Sequence, residues 1–379
     1  MTEARPRPAG SCGEDVARPA APARRLGCIA FTRAGEELAE RVVGALVPGA
    51  LGKGSERPWR ASVKGCYGEG HEPLGRWVDE HFAADDALLF VGATGIAVRA
   101  IARHVQAKTS DPAVLVMDEG GHWVVSLLSG HIGGANRLAE LVAAAAGATP
   151  VITTATDNRG LWAVDTWATR LGLVIKNPHA IKNVSSALLA GRTVRAYSAG
   201  AWPGEVPGHV ELVADPLDAD VVLSPWTYDG LGDGVLRLVP RTLSVGVGCR
   251  RDTPAEVLEE AWAEVARGAG PDGAGVDEQA VCAVGSIDLK ADEAGLLEFC
   301  ANHGWTLETY PAERLREVTG AVSHSSFVAS VTGVDNVCER AALVGGGRIV
   351  VPKRPRNGTT FAIAQREAGR GPSPALPGR

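Results

Sequence analysis

The chain has 379 residues, of which 45% are hydrophobic, 22% charged and only 5% aromatic, with a formal net charge of −6. That length suits roughly two or three domains with sizeable cores of Val, Leu, Ile and Ala, and the lack of a basic excess argues against a nucleic-acid partner. The apolar stretches, such as 139–148, are too short to span a bilayer, which excludes a membrane-spanning helix.

Seven cysteines, with no C-x-x-C pair, read as reduced thiols of a cytoplasmic protein and not as a disulfide framework. None has a zinc-site spacing. Residues 1–25 are rich in Pro, Ala and Arg and lack the apolar segment of a signal peptide, so they read as a disordered leader. Residues 367–379 read as a disordered tail. Between these ends strands and helices alternate. This predicts an α/β fold of three consecutive α/β units with mostly parallel sheets, over 26–157, 158–241 and 242–366.

In the first unit the pattern predicts a strand over 26–32, a helix over 35–46, a loop over 48–58, a helix over 74–82 and an apolar strand over 87–91. Gly92-Ala93-Thr94-Gly95 then leads into a helical run over 96–104. A strand over 113–117, the turn Asp118-Glu119-Gly120-Gly121 and the run 122–128 read as a hairpin. Ser129-Gly130-His131 precedes a strong helix over 133–146, and a strand over 150–153 ends in Thr154-Ala155-Thr156-Asp157. The middle unit is less legible, with helices expected over 164–171 and 179–189 and short strands over 173–175, 221–223 and 235–239. In the last unit strands are expected over 243–248, 281–285 and 305–310, with paired strands over 348–352 and 360–364. Helices are expected from Thr253, as N-cap, to about residue 267, over 292–302, after Pro311 and over 335–343, with Asp335 as N-cap of the last.

Three loops of the first unit, two of them glycine-lined, follow strands directly: Gly92 to Gly95, Ser129 to Asn136, and Thr153 to Asp157. If those strands are parallel neighbours, all three loops open at the carboxyl edge of one sheet, where α/β sheets bind ligands. Two lead into helix starts, whose free N–H groups suit anions; glycine used only for turn geometry is the competing reading. The pattern is neither G-x-G-x-x-G nor a Walker A loop, which leaves a nucleotide-dependent enzyme little support. His131, between glycines and near Ser129, reads as a general base or a carboxylate hydrogen-bonder, or else as a turn histidine bonded to backbone. Asp118-Glu119 reads first as a turn pair and second as a source of a catalytic carboxylate.

In the last unit Arg250 and Arg251 follow a strand and could clamp carboxylates, or serve as one outward residue and one structural ion pair. Lys290 stands near a helix start, against the macrodipole, and hints at a ligand or partner carboxylate; Glu293 lies in the same strand-loop-helix segment. Thr332 belongs to a third such loop, 330–339. Cys249 and Cys338 read as inert buried thiols more readily than as nucleophiles.

Together these motifs resemble the cobalt-precorrin-5A hydrolases of the anaerobic cobalamin pathway, the CbiG type. The residues that carry the resemblance are Phe90-Val-Gly-Ala-Thr-Gly-Ile-Ala-Val-Arg-Ala-Ile-Ala102, Ser129-Gly-His-Ile-Gly-Gly-Ala-Asn-Arg-Leu-Ala139 and Val151-Ile-Thr-Thr-Ala-Thr-Asp157. Gly246-Val-Gly-Cys-Arg-Arg251, Ser286-Ile-Asp-Leu-Lys-Ala-Asp-Glu293 and Thr332-Gly-Val334 match independently, so the likeness runs over about residues 26–366. Two departures stand out: Asp252 replaces a commonly small residue, and Pro355-Arg356-Asn357 lengthens the last turn.

The resemblance implies opening of the ring-A δ-lactone of a cobalt corrinoid and release of acetaldehyde, with the cobalt carried by the substrate and no cofactor of the protein's own. That chemistry needs a base and oxyanion donors, and from the residues themselves we expect His131 as first and Glu119 as second choice of base, with oxyanion or carboxylate donors at the helix starts near Gly92, Thr94, Gly95, Gly133 and Gly134. Ser129, Asn136, Thr154, Asp157, Arg250, Arg251, Lys290, Glu293 and Thr332 complete the expected substrate contacts. The expected partner is the small-molecule substrate, with no nucleic acid or membrane; transient contact with other enzymes of the pathway and homo-oligomers are compatible with the sequence. A non-catalytic tetrapyrrole carrier in the same pathway would use the same loops.

Overall fold

The computed structural model describes residues 23–46, 59–107, 110–131, 133–155, 159–320 and 333–366. The leader up to residue 22, the loop 48–58, the tail 367–379 and two expected substrate contacts, Asp157 and Thr332, lie outside the described residues. Arg24 and Arg25, read above as the end of the leader, are instead the first residues of a strand.

The first unit runs β1 (Arg24–Ala30), α1 (Arg33–Leu46), β2 (Trp59–Gly65), α2 (Leu74–His81), β3 (Ala87–Val91), α3 (Thr94–Ile101), β4 (Ala113–Met117), β5 (Trp123–Leu128), α4 (Ala135–Ala146) and β6 (Thr149–Val151). Its strands order as β2-β1-β3-β4-β5-β6. Both β3 and β4 are buried throughout, as expected of central strands covered on two faces. Successive side chains point to opposite faces: Leu89, Val91, Leu115 and Met117 pack with α1 and α4 residues, while Leu88, Phe90, Val114 and Val116 pack with Trp77, Val78, Ala97 and Ile101.

Strand direction within this sheet decides the geometry of the site. The strands β1, β2, β3 and β4 are parallel. The expected hairpin is present, and β5 runs antiparallel to β4, with Met117 opposite Val124 and Val114 opposite Leu128. The last strand, β6, is parallel to β5. The loops after β5 and β6 therefore leave the edge of the sheet opposite to the loop after β3. The expectation that all three loops share one edge is corrected: two do, and Gly92 to Gly95 lies across a five-residue strand, roughly 17 Å away.

The middle unit contains α5 (Val164–Arg170), β7 (Val174–Ile175), α6 (Ile181–Leu189), β8 (Val194–Ser198), β9 (Val210–Leu212), β10 (Val221–Leu223), β11 (Trp226–Thr227) and β12 (Leu236–Val239). Its sheet orders as β7-β12-β10-β8-β9, parallel except for the edge strand β7. The last unit contains β13 (Leu243–Cys249), α7 (Ala255–Ala266), β14 (Gly275–Val276), β15 (Val281–Ile287), α8 (Ala294–Asn302), β16 (Leu307–Tyr310), α9 (Ala312–Glu317), α10 (Val337–Leu343), β17 (Arg348–Arg356) and β18 (Thr359–Gln365). Its sheet orders as β16-β15-β13-β18-β17, in which β18 is antiparallel to both neighbours. Mixed α/β units with largely parallel sheets are thus what the chain forms. Among the described residues, no helix is long and apolar enough to cross a membrane.

Caps differ from expectation in two places. Thr253 donates its Oγ1 to the Arg250 carbonyl at 2.8 Å, and Pro254 takes the N-cap position of α7. Asn336, not Asp335, caps α10, with its side chain accepting from the Glu339 N–H at 3.1 Å. The two departures from the family pattern also find local reasons. Asp252 takes a left-handed φ of 57°, which a short polar side chain tolerates better than most. The final turn is not lengthened: β17 extends through Arg356, and Asn357-Gly358, with φ of 47° and 79°, closes a two-residue hairpin.

The middle and last units are stitched together by β11 pairing with β14 and by an ion pair between Lys176 and the buried Asp277. The Asp277 side chain is 4% exposed and its second oxygen accepts the Gln279 N–H at 3.1 Å. Removing the cation leaves a buried carboxylate half satisfied. Lys176→Met is expected to cost about 2–3 kcal/mol, read as a lowered midpoint in urea unfolding.

Candidate active site

The loop after β5 is held in an unusual shape by its own chemistry. Ser129 is buried and adopts a left-handed φ of 56°, a conformation that costs an L-residue about 1–2 kcal/mol. Its Oγ donates to the Asp111 carbonyl at 3.1 Å, and its own carbonyl accepts the Ala135 N–H at 3.1 Å. Gly133 is required here: a Cβ on it would sit 2.4 Å from the Ser129 Cβ and 2.8 Å from the Ser129 carbonyl oxygen. Asn136, in the first turn of α4, ties three segments together. Its Oδ1 accepts from Ser126 Oγ at 2.7 Å and its Nδ2 donates to Thr154 Oγ1 at 3.0 Å. Its backbone N–H donates to the Gly130 carbonyl at 2.9 Å.

This clamp fixes His131, whose side chain is 17% exposed. Its Nδ1 lies 3.2 Å from Oδ2 of Asp165, a carboxylate 7% exposed in the first turn of α5, in the middle unit. The sequence does not single out Asp165. An acid in a first helical turn is ordinary macrodipole chemistry, and nothing in its local pattern says that it faces a loop over thirty positions earlier in the chain.

Of the expected site residues, the structure therefore brings together Ser129, His131, Gly133, Gly134, Asn136 and Thr154. It does not bring Gly92, Thr94, Gly95 or Glu119 to them. Gly92 lies at the opposite edge, where a Cβ on it would sit 2.6 Å from the Phe31 ring. Its N–H donates to the Met117 carbonyl at 2.8 Å, so its glycine answers to packing. Glu119 is exposed at the tip of the β4–β5 turn. The organising carboxylate of that turn is Asp118, which accepts the His122 and Trp123 N–H groups at 2.9 and 2.7 Å. Burial acts to raise the Asp118 carboxyl, but these donors and the His122 ring outweigh it and hold it below the usual range. Glu119 and His131 cannot act on the same atom.

The residues expected from the last unit cluster at the ends of β13 and β15. Lys290 donates from Nζ to Glu293 Oε2 at 2.7 Å, and the two side chains are 14% and 6% exposed. The carboxylate that Lys290 calls for is thus the chain's own. Glu293 also accepts the backbone N–H groups of Asp252 and Thr253, which fastens the loop after β13 to the start of α8. Arg250 and Arg251 are exposed, and neither guanidinium forms an ion pair among the described residues. Cys249 lies beside this clasp with its thiol raised by burial, and burial pushes the Cys338 thiol up to about 11. Neither is a thiolate at neutral pH, in keeping with inert thiols.

Burial by itself would raise the Glu293 carboxyl, yet Lys290 and the two N–H groups overcome it and hold it below the ordinary value. A depressed folded-state value stabilises the fold above the unfolded pKa of about 4.3, and that contribution fades as pH falls through the lower value. Glu293→Gln is expected to lower Tm at neutral pH, with the gap from the parent closing in acid below about pH 4.

A cavity of about 900 Å³ lies between the middle and last units, and none of the expected site residues lines it. Its wall carries Asp215, Asp229, Glu259, Asp272 and Glu278 against Arg267 and His303. That balance repels a polycarboxylate.

Residues 76–157 match the family described as cobalamin synthesis G N-terminal, 162–240 the cobalamin biosynthesis central region and 243–364 the cobalamin synthesis G C-terminus. A cobalt-precorrin-5A hydrolase of Salmonella typhimurium is 35% identical over 298 residues, covering 74% of this chain and 82% of that protein. One from Priestia megaterium is 33% identical over 307 residues, covering 75% and 79%. A solved cobalamin biosynthesis protein G homolog from Sulfolobus solfataricus aligns over 91% of this chain and 98% of its own, at 20% identity and a TM-score of 0.39. Three consecutive matches in the expected order, and a third of positions shared with two hydrolases over most of their length, make this chain a member of the cobalt-precorrin-5A hydrolase family of cobalamin synthesis G proteins.

Proposed function

We propose that this chain is a cytoplasmic enzyme that hydrolyses the ring-A δ-lactone of cobalt-precorrin-5A and releases acetaldehyde, giving cobalt-precorrin-5B. The substrate follows the relatives; the site rests on one observation, the His131 imidazole held in a clamped loop with Asp165 at 3.2 Å.

In this reading His131 takes a proton from water as the oxygen adds to the lactone carbonyl. The carbon–oxygen bond of the ring then breaks, and the leaving alkoxide regains the proton. The freed alcohol gives its proton back to the base as the carbon–carbon bond to the macrocycle cleaves. Acetaldehyde departs, and the electron pair stays on the macrocycle and its cobalt. The Gly133 N–H is the candidate donor for the oxyanion, because the N–H groups of Gly134, Ala135 and Asn136 already bond the carbonyls of His131, Ser129 and Gly130; Ser129, Asn136 and Thr154 shape the loop more than they touch substrate. Arg250 and Arg251 are the cations that remain for peripheral carboxylates. No cofactor of the protein is invoked, since the metal arrives with the substrate.

Incubating the protein with cobalt-precorrin-5A and assaying acetaldehyde tests this directly. Stoichiometric release with conversion of the corrinoid is expected; tight binding without any release would replace the enzyme reading by a carrier.

A further inference from the structure

Asp165 is a buried carboxylate that the chemistry above does not yet use. Its two oxygens are set by different units of the fold. Oδ1 accepts the N–H of Thr166 at 3.0 Å within α5, and the Asp165 carbonyl accepts Thr169 Oγ1 at 2.8 Å, which fixes the helix start. Oδ2 points across the boundary to His131 Nδ1, 3.2 Å away. With its side chain 7% exposed, the carboxylate is poorly hydrated, and at this ion-pairing distance its charge favours a proton on the nitrogen that faces it.

We propose that Asp165 is the positioning residue for His131: it holds the imidazole proton on Nδ1, so that Nε2 is the basic nitrogen and its direction is set by the packing of the middle unit on the first. This inference rests on the reading of His131 as the base. A neutral imidazole has one donor and one acceptor nitrogen, and the carboxylate beside Nδ1 selects that nitrogen as donor. When water adds to the lactone carbonyl, its proton passes to Nε2 and the new bond joins oxygen to the carbonyl carbon. The resulting imidazolium lies against the Asp165 carboxylate, 3.2 Å away. The proton leaves from Nε2 to the alkoxide when the ring bond breaks. Asp165 touches neither water nor substrate; it acts through His131. The reactive geometry thus needs two of the three units, a loop from one and a helix from the next.

A fastening ion pair between units is the competing role, and it predicts a different set of results. With Asp165→Asn, kcat is expected to fall by about 10²- to 10⁴-fold with KM little changed. The amide can turn its NH₂ towards the ring and select the wrong tautomer. The acid limb of the pH–rate profile should move to lower pH, because the charge that favours the imidazolium is gone. Asp165→Glu should restore part of the rate. A parent-like rate and profile in Asp165→Asn overturn the inference, as does a fall in rate that tracks lowered Tm while the acid limb stays in place.

Should His131→Ala itself turn over at the parent rate, the base assignment fails. If His131→Ala is inactive and Asp165→Asn is unchanged, only the role of Asp165 fails. Nitrogen NMR of the His131 ring in the parent protein decides the case even where the variant does not fold: protonation on Nδ1 at neutral pH is required, and protonation on Nε2 overturns the proposal.

Discussion

His131→Ala is expected to reduce acetaldehyde release by about 10²- to 10⁴-fold, with binding of the corrinoid little altered. The loop does not depend on the imidazole for its shape. Ser129 Oγ bonded to the Asp111 carbonyl, Asn136 bridging Ser126 and Thr154, and Gly133 pressed against Ser129 hold it independently. What the substitution removes is the proton acceptor, together with the contact to Asp165, whose carboxylate is left buried without the ring. That loss should cost roughly 1–3 kcal/mol of stability, so the rate is best compared well below the variant's Tm. Glu119→Gln is the control. Glu119 is exposed at the far edge of the sheet, so parent activity is expected. A parent rate in His131→Ala, or a large loss in Glu119→Gln, would place the base elsewhere.

Gly246→Ala is expected to cost more than about 3 kcal/mol, the upper end for an overpacked core, and to leave the protein largely insoluble. An added Cβ would stand 1.7 Å from the Cys338 carbonyl oxygen, 2.7 Å from its carbon and 2.9 Å from the Ala342 nitrogen. All three are backbone atoms of α10, so no side chain can turn aside. The strand cannot move either, because β13 is paired on one side with β15 and on the other with β18. Gly285, opposite Gly246 in the register, adds a second smooth position, where a Cβ would meet the Ala341 carbonyl oxygen at 3.0 Å. The displaced helix carries Glu339, which is fully buried and whose Oε1 accepts the Lys353 N–H at 2.8 Å. Gly248→Ala is the comparison: its Cβ would meet only Thr360 Oγ1, at 2.6 Å, and a hydroxyl can rotate away. Its effect should stay within about 1 kcal/mol. A Tm for Gly246→Ala close to that of Gly248→Ala would refute this account of the motif.

The same comparison corrects how the glycine-rich segments of this chain should be understood. Gly92 and Gly246 stand in motifs that look alike as strand-to-helix loops, and both are there so that a ring or a helix backbone can come close. The loop around Gly133 differs because packing alone does not explain a buried serine in a left-handed conformation next to a paired histidine. Strain of that kind persists only where surrounding contacts enforce it.

Hydrophobic period by itself determined most elements. The apolar runs at β3 and β4 fall at the expected residues, and α4 and α10 begin within two residues of the expected starts. The period-two alternation of Trp59, Ala61 and Val63 against Arg60, Ser62 and Lys64 also marks β2, a signal easily passed over beside a glycine-rich loop. Motif order was enough to identify the family. Which loops meet was only half legible: the short turn between β4 and β5 already requires a reversal, but that β6 runs parallel beside β5, and what faces the loop between them, was decided by the tertiary structure. Alternation of side chains has no sense of direction, so a strand reads the same running up or down the sheet. A five-residue turn from Asp118 to His122 is too short for a crossover and forces β5 to run back, which puts His131 at the edge away from Gly92. The partner that His131 finds there comes from another unit. Contact between Asp165 and His131 depends on how two separately formed cores pack, and local periodicity does not encode that.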